Sequence, residues 1–172
     1  MSAIDFNDGK MPSVLTDVSR DSILSIFNTI FGAEPKFKGE DNDGKVGEGG
    51  VGIISFMGDV NYIIMLALPK DSAIAMASKF CGFDIDYDSP DMGDVVGELA
   101  NVLAGDIVAR MRKEELKVTM SLPTIMRGHD VEPLLPRGLP LEKLSFSMAE
   151  GNFMLKVAGA KSGDLVGRKP GT

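Results

Sequence analysis

The sequence predicts an α+β fold: long helices packed on a mostly antiparallel sheet of about six strands, built as two related halves. Three observations predict it. Residues 13–31 and 90–113 carry apolar side chains at helical spacing. Residues 51–57 with 60–68, and 142–149 with 152–159, are β-rich runs joined by short turns. A four-position polar pattern in the first long helix recurs in the second, which points to an internal repeat.

The first helix runs from about Ser13 to Phe31, with Val18, Ile23, Ile26, Phe27 and Ile30 facing inward and Gly32 as its stop. Residues 39–50 are dense in Gly, Asp, Asn and Glu and read as a mobile loop. The strands 51–57 and 60–68 turn at Gly58-Asp59, and Pro69 ends the second. Asp71 or Ser72 caps a second helix that runs to about Cys81, with Ile74, Ala75, Ala77 and Phe80 offered for packing. After an acidic linker, Ser89 and Pro90 open the third helix as N-cap and first helical residue, with Asp91 and Asp94 at its positive end. It reaches about Lys113, roughly 36 Å at 1.5 Å per residue. A strand at 116–125, a proline-rich loop and the last hairpin follow. Residues 1–11 and 161–172 read as flexible flanks of a single domain over 1–172.

Composition narrows the function. The chain has 172 residues, 44% of them hydrophobic, and a formal net charge of −7. That size and content suit one packed core. No Lys/Arg cluster is present to neutralise phosphates, which argues against nucleic acid, and the acidic balance disfavours anionic membrane surfaces. No apolar run has the length of a membrane span, and Met1–Asp8 lacks the pattern of a signal peptide. Cys81 is the single cysteine, so no internal disulfide forms and the thiol reads as buried packing. The expected location is the cytoplasm.

The most informative stretch is Asp94-Val-Val-Gly-Glu98-Leu-Ala-Asn101-Val-Leu-Ala-Gly105. Steps of about 100° per residue place Asp94, Glu98, Asn101 and Gly105 within roughly 60° of one another. Met92, Val95, Val96, Leu99, Val102, Leu103 and the stem of Arg110 point the opposite way. Gly97, Ala100 and Ala104 flank the polar stripe and are expected to leave it sterically open. Asn101 in mid-helix runs against propensity. Asp21, Ser25, Asn28 and Gly32 repeat the spacing, with Ser25 where Glu98 stands. Coincidence is the competing reading of that repeat. Asp106 falls on the apolar side and reads only as a hydrogen-bonded or peripheral carboxylate.

Other motifs carry less. Gly47-Glu-Gly49-Gly-Val-Gly52 has dinucleotide-binding spacing but is followed by a strand, where that fingerprint needs a helix. Asp41-Asn-Asp43-Gly44 has its glycine too early for a calcium loop and lacks the closing Glu. His129, the single histidine, has no second donor nearby in sequence and reads as a surface or loop residue. The eleven methionines read as core filler.

The run Gly97-Glu98-Leu-Ala-Asn101-Val-Leu-Ala-Gly105 resembles the signature helix of the CheC/CheX/FliY family of chemotaxis phosphatases, and the likeness extends from the first helix to the last hairpin. One intact and one decayed stripe look most like CheX. The resemblance implies a CheC-like fold with a pseudo-twofold axis. It implies hydrolysis of the aspartyl phosphate on a CheY-like response regulator. Glu98 would pair with a lysine of the partner, Asn101 would hold the attacking water in line, and Asp94 would support the contact. No cofactor or metal would be bound by this chain, since the Mg2+ of the reaction belongs to the response regulator. The partner would be a phosphorylated receiver domain, and the chain would form a homodimer. A non-catalytic CheC-like module that binds a response regulator or a flagellar switch protein is the alternative, served by the same helix.

Overall fold

The computed structural model describes residues 4–161. Its elements are α1 (Ser13–Phe31), β1 (Lys36–Glu40), β2 (Glu48–Gly58), β3 (Tyr62–Pro69), α2 (Lys70–Cys81), α3 (Pro90–Lys113), β4 (Val118–Met120), β5 (Thr124–His129), β6 (Leu141–Met148) and β7 (Gly151–Gly159). All strand pairs are antiparallel, and the seven strands form one sheet in the order β1-β6-β7-β3-β2-β4, with β5 also paired to β2. This is the expected α+β architecture with one strand more.

The order contains the internal repeat. Exchange β1 with β4/β5, β2 with β6, and β3 with β7, and the strand order reverses onto itself. The same exchange carries α1 onto α3. The recurrence of Asp21/Ser25/Asn28/Gly32 at Asp94/Glu98/Asn101/Gly105 therefore has a topological counterpart, and the two helices are equivalent elements of two halves.

The helices cover one face of the sheet. Ile54, Phe56, Ile64, Leu66, Leu68, Leu144, Phe146, Leu155 and Val157 meet Leu15, Ile23, Phe27, Met76, Leu99, Leu103 and Ile107 in one core. Phe27 of α1 stacks on Phe153 at 4.7 Å, and Phe153 stacks on Phe146 at 5.2 Å, fixing α1 to the β6–β7 hairpin. The other face buries Val51, Met65, Ala67 and Met154 beneath Val46 and Val131.

That second face also holds two lysines the sequence does not announce. Lys143 and Lys156 sit on β6 and β7 as paired neighbours and are both buried. Their ammonium groups converge on one oxygen of Glu132, at 2.8 and 3.1 Å, and also donate to the carbonyls of Gly44 and Val131. Burial alone would raise the Glu132 carboxyl. The two lysines outweigh it and hold the group below the usual carboxylate range.

Several details differ from expectation. β1 lies where a loop was expected to begin: Lys36-Phe-Lys-Gly-Glu is mostly charged because it is an edge strand with most residues in solvent. Residues 4–11 are held rather than loose, since Ile4 N–H donates to Asp59 and Phe6 is buried against Gly159. Residues 1–3 and 162–172 of the expected flexible flanks lie outside the described residues. Neither Asp71 nor Ser72 caps α2. Pro69 occupies the cap position, and Ser72 Oγ donates to Asn152 O of β7 instead. Phe80, offered for packing, is exposed. The strand expected at 116–125 is two strands with a break between them.

Candidate functional site

α3 forms over the expected range, 24 residues from Pro90 to Lys113. Pro90 suits the first turn, where its missing N–H is not needed, and Asp91 at that end with Arg110, Arg112 and Lys113 in the last turn suit the helix dipole. Ser89 stands at the N-cap, but its hydroxyl donates backwards to Asp86 O and does not cap the helix. Arg127 of β5 ties down the approach to α3. It donates to Tyr87 O at 2.8 Å, lies 3.5 Å from Asp88 and sits over the Tyr87 ring at 5.5 Å. Burial, then Glu48, pushes the Tyr87 hydroxyl upward, with Arg127 opposing.

The inward face is as the periodicity requires. Met92, Val95, Val96, Leu99 and Leu103 are buried, joined by Ile107 and Met111, while Val102 is half-buried at the margin. The outward face carries Asp94 and Glu98, both exposed, then Asn101, half-buried, and Gly105, exposed. Among the described residues no hydrogen bond or ion pair engages the side chains of Asp94, Glu98 or Asn101. The structure thus brings the three site residues read from sequence onto one uncovered stripe. A Cβ on Gly105 would meet nothing within 4 Å, so the packing of this chain does not require glycine there.

The small residues have a different job from the one expected. Gly97, Ala100 and Ala104 are buried, not exposed beside the stripe. They let α3 press onto the sheet. A Cβ on Gly52 of β2 would fall 2.8 Å from the Ala100 methyl, and one on Gly97 would fall 3.1 Å from Ile125 Cδ1. The dinucleotide-like glycine run resolves in the same way: Gly50 and Gly52 are the floor beneath Val96 and Ala100. Among the described residues, no element covers Asp94, Glu98 or Gly105.

The first-half copy is not equivalent in detail. Asp21 is bound by Arg20 at 2.9 Å, Ser25 replaces the carboxylate, and Gly32 is the left-handed C-cap of α1 with φ 79°. α3 continues through its own copy of that glycine.

Residues outside the stripe resolve simply. Asp106 pairs with Arg110 one turn on, at 2.6 Å. His129 ends β5, exposed, with Asp130 3.2 Å away. Asn42 of the acidic loop accepts from Lys143 N–H, and Asp41 O closes a turn with Gly44. Cys81 is half-buried at the end of α2. Among the described residues, no three His, Cys, Asp or Glu side chains converge as a metal-binding set, and no helix is long and apolar enough to cross a membrane.

The sequence model of the family described as chemotaxis phosphatase CheX matches residues 51–146, more than half of the chain and all of α3. The chain belongs to the CheX family. Solved structures agree in fold. A CheC-like superfamily protein from Shewanella sp. PV-4 is 17% identical, with 88% of this chain and 100% of that one covered and a TM-score of 0.77. A CheX from Desulfovibrio desulfuricans is 18% identical, with 87% and 100% covered and a TM-score of 0.75. A CheX from Borrelia burgdorferi, solved as a complex with CheY, BeF3 and Mg2+, is 17% identical, with 86% and 97% covered and a TM-score of 0.70. No curated protein matches the chain in sequence. At these identities the CheX and CheC-like structures support the α+β sheet-and-helix architecture, and the family assignment rests on the sequence match.

Proposed function

We propose that this CheX-family chain hydrolyses the aspartyl phosphate of a CheY-like response regulator, with α3 as the element that enters the regulator's phosphorylation site. The observation that carries the reading is the outward, unengaged pair Glu98 and Asn101, a turn apart on a rigid helix. Membership of the CheX family and the B. burgdorferi complex with CheY support the choice of partner.

An acyl phosphate is already activated, so the protein's main task is to place water in line with phosphorus and support the moving charge. The Asn101 carboxamide has the groups for it: its oxygen accepts from the water and its NH2 donates to a phosphoryl oxygen. Neither act needs a titrating group. Glu98 supplies a negative charge for a lysine of the receiver domain, fixing the depth of entry, and Asp94 extends that contact one turn towards the helix start. Two carboxylates and an amide spread along a helix do not make the octahedral oxygen cage that Mg2+ requires. In this proposal the Mg2+ of the reaction would be held by the receiver and would offset charge on the phosphoryl oxygens. The proposal includes a cytoplasmic site of action, one working domain across the chain, and a homodimer, for which the edge strand β1 is available.

The test is release of phosphate from receiver domains charged with acetyl phosphate, at catalytic amounts of this chain. Many turnovers per molecule support hydrolysis. Protection of the phosphoryl group, or release no faster than from the receiver alone, leaves a binding module.

A further inference from the structure

β4 and β5 follow the same edge of β2 as one strand broken by a bulge. Phe56 pairs with Met120 and Ile53 with Thr124, so Ile54 and Ser55 face three residues, Ser121, Leu122 and Pro123. Ser121 fills the gap. Its N–H donates to Ser55 O at 2.9 Å, and its hydroxyl accepts from Ser55 N–H at 3.0 Å and donates to Leu122 O at 2.9 Å. Pro123 and Ile125 then turn to α3, their Cγ and Cδ1 lying 3.8 and 3.1 Å from where a Gly97 Cβ would be. Gly97 precedes Glu98 and lies about 40° from Asn101 around the helix. Leu122, between the pinned Ser121 and the packed Pro123, is 86% exposed.

We infer that Leu122 is a specificity-determining docking residue, seated against an apolar patch at the rim of the receiver's phosphorylation pocket when α3 enters it. The inference rests on the phosphatase reading. The polar stripe offers charge and hydrogen bonds but little apolar area, and a stable contact needs a buried apolar centre beside them. Leu122 is a large apolar side chain that the bulge holds out in solvent, one residue before Pro123, which packs beside Gly97. Its backbone is fixed by Ser121 and Pro123, so little order is lost on contact. The first half supplies a contrast. β1 has the equivalent one-residue shift between Phe37 and Gly39, and the residue there is Lys38. The half without the carboxylate also lacks the apolar tip.

The experiment compares wild type, Leu122→Ser, Leu122→Met and Asn101→Ala in steady-state dephosphorylation of a CheY receiver charged with acetyl phosphate. Melting temperature and sedimentation are measured alongside. Leu122→Ser is expected to raise KM about tenfold with kcat within about twofold, and Leu122→Met to restore KM. An unchanged KM in Leu122→Ser overturns the inference. So does a fall in kcat alone, or a change in sedimenting mass, which would assign Leu122 to a contact between copies. If Asn101→Ala is inactive and Leu122→Ser keeps the wild-type KM, only this inference falls. If wild type and Asn101→Ala behave alike, the phosphatase reading falls with it.

Discussion

Ala100 of α3 lies against the backbone of Gly52 so closely that a Cβ on Gly52 would sit 2.8 Å from the Ala100 methyl. That contact sets the height of α3 above the sheet, and with it the position of the stripe on the helix's far side. Gly52→Ala must lift the helix or bend the strand. The expected loss is about 1–3 kcal/mol of stability. Chemical denaturation measures it, and an unchanged midpoint would show that the contact yields freely.

Lys143 and Lys156 place two buried ammonium groups on one carboxylate. Glu132→Gln removes the charge they share and leaves both under-compensated. Because Glu132 is about a third exposed, the expected loss is roughly 3 kcal/mol, the low end for a broken buried pair.

The same cluster predicts a pH dependence. The folded carboxyl of Glu132 is held below its unfolded value, so its contribution is complete above the ordinary glutamate pKa of about 4.3. It is lost as pH falls through the lower folded value. Unfolding measured from pH 6 to pH 3 is expected to show a shallower decline in Glu132→Gln than in wild type.

Tyr62 is fully buried, stacked on Phe56 at 4.5 Å, and its hydroxyl has no partner among the described residues. Burial drives that hydroxyl's pKa far upward. Tyr62→Phe keeps the stack and removes the unpaired group, so stability is expected to be unchanged or to rise by about 1 kcal/mol. Thermal unfolding decides; a loss above that size would reveal a partner for the hydroxyl.

Glu98 offers the cleanest test of docking. Glu98→Ala removes an exposed side chain that makes no hydrogen bond or ion pair among the described residues, so folding should be preserved to within about 0.5 kcal/mol. Affinity for the phosphorylated receiver should fall about tenfold or more. Isothermal titration against a receiver loaded with BeF3 and Mg2+ measures it, and wild-type affinity would remove Glu98 from the interface.

The bounds of α1 and α3 and the outward placement of Asp94, Glu98 and Asn101 were legible in sequence, because helical period and cap chemistry are local signals. The repeat was legible too, since three of its four positions are identical. What the sequence concealed depends on contacts across the sheet. Gly97, Ala100 and Gly52 are small because a helix lies on a strand from another part of the chain. Lys143 and Lys156 look like surface lysines in an alternating strand, until Glu132 arrives from a loop. β1 escaped notice because an edge strand needs no apolar alternation. The bulge at Ser121–Pro123 appears only when β4 and β5 are set against β2. A proline in a strand marks such a break, and Pro123 was the one available hint.

The central claim is that the Asn101 carboxamide positions water on a partner's phosphoryl group. Asn101→Ala should fold as well as wild type, since alanine is the better helix former and the side chain makes no hydrogen bond among the described residues. It should still bind a receiver loaded with BeF3 and Mg2+. Release of phosphate from the charged receiver should fall about 100-fold or more. Release at the wild-type rate from a folded Asn101→Ala chain would contradict the account.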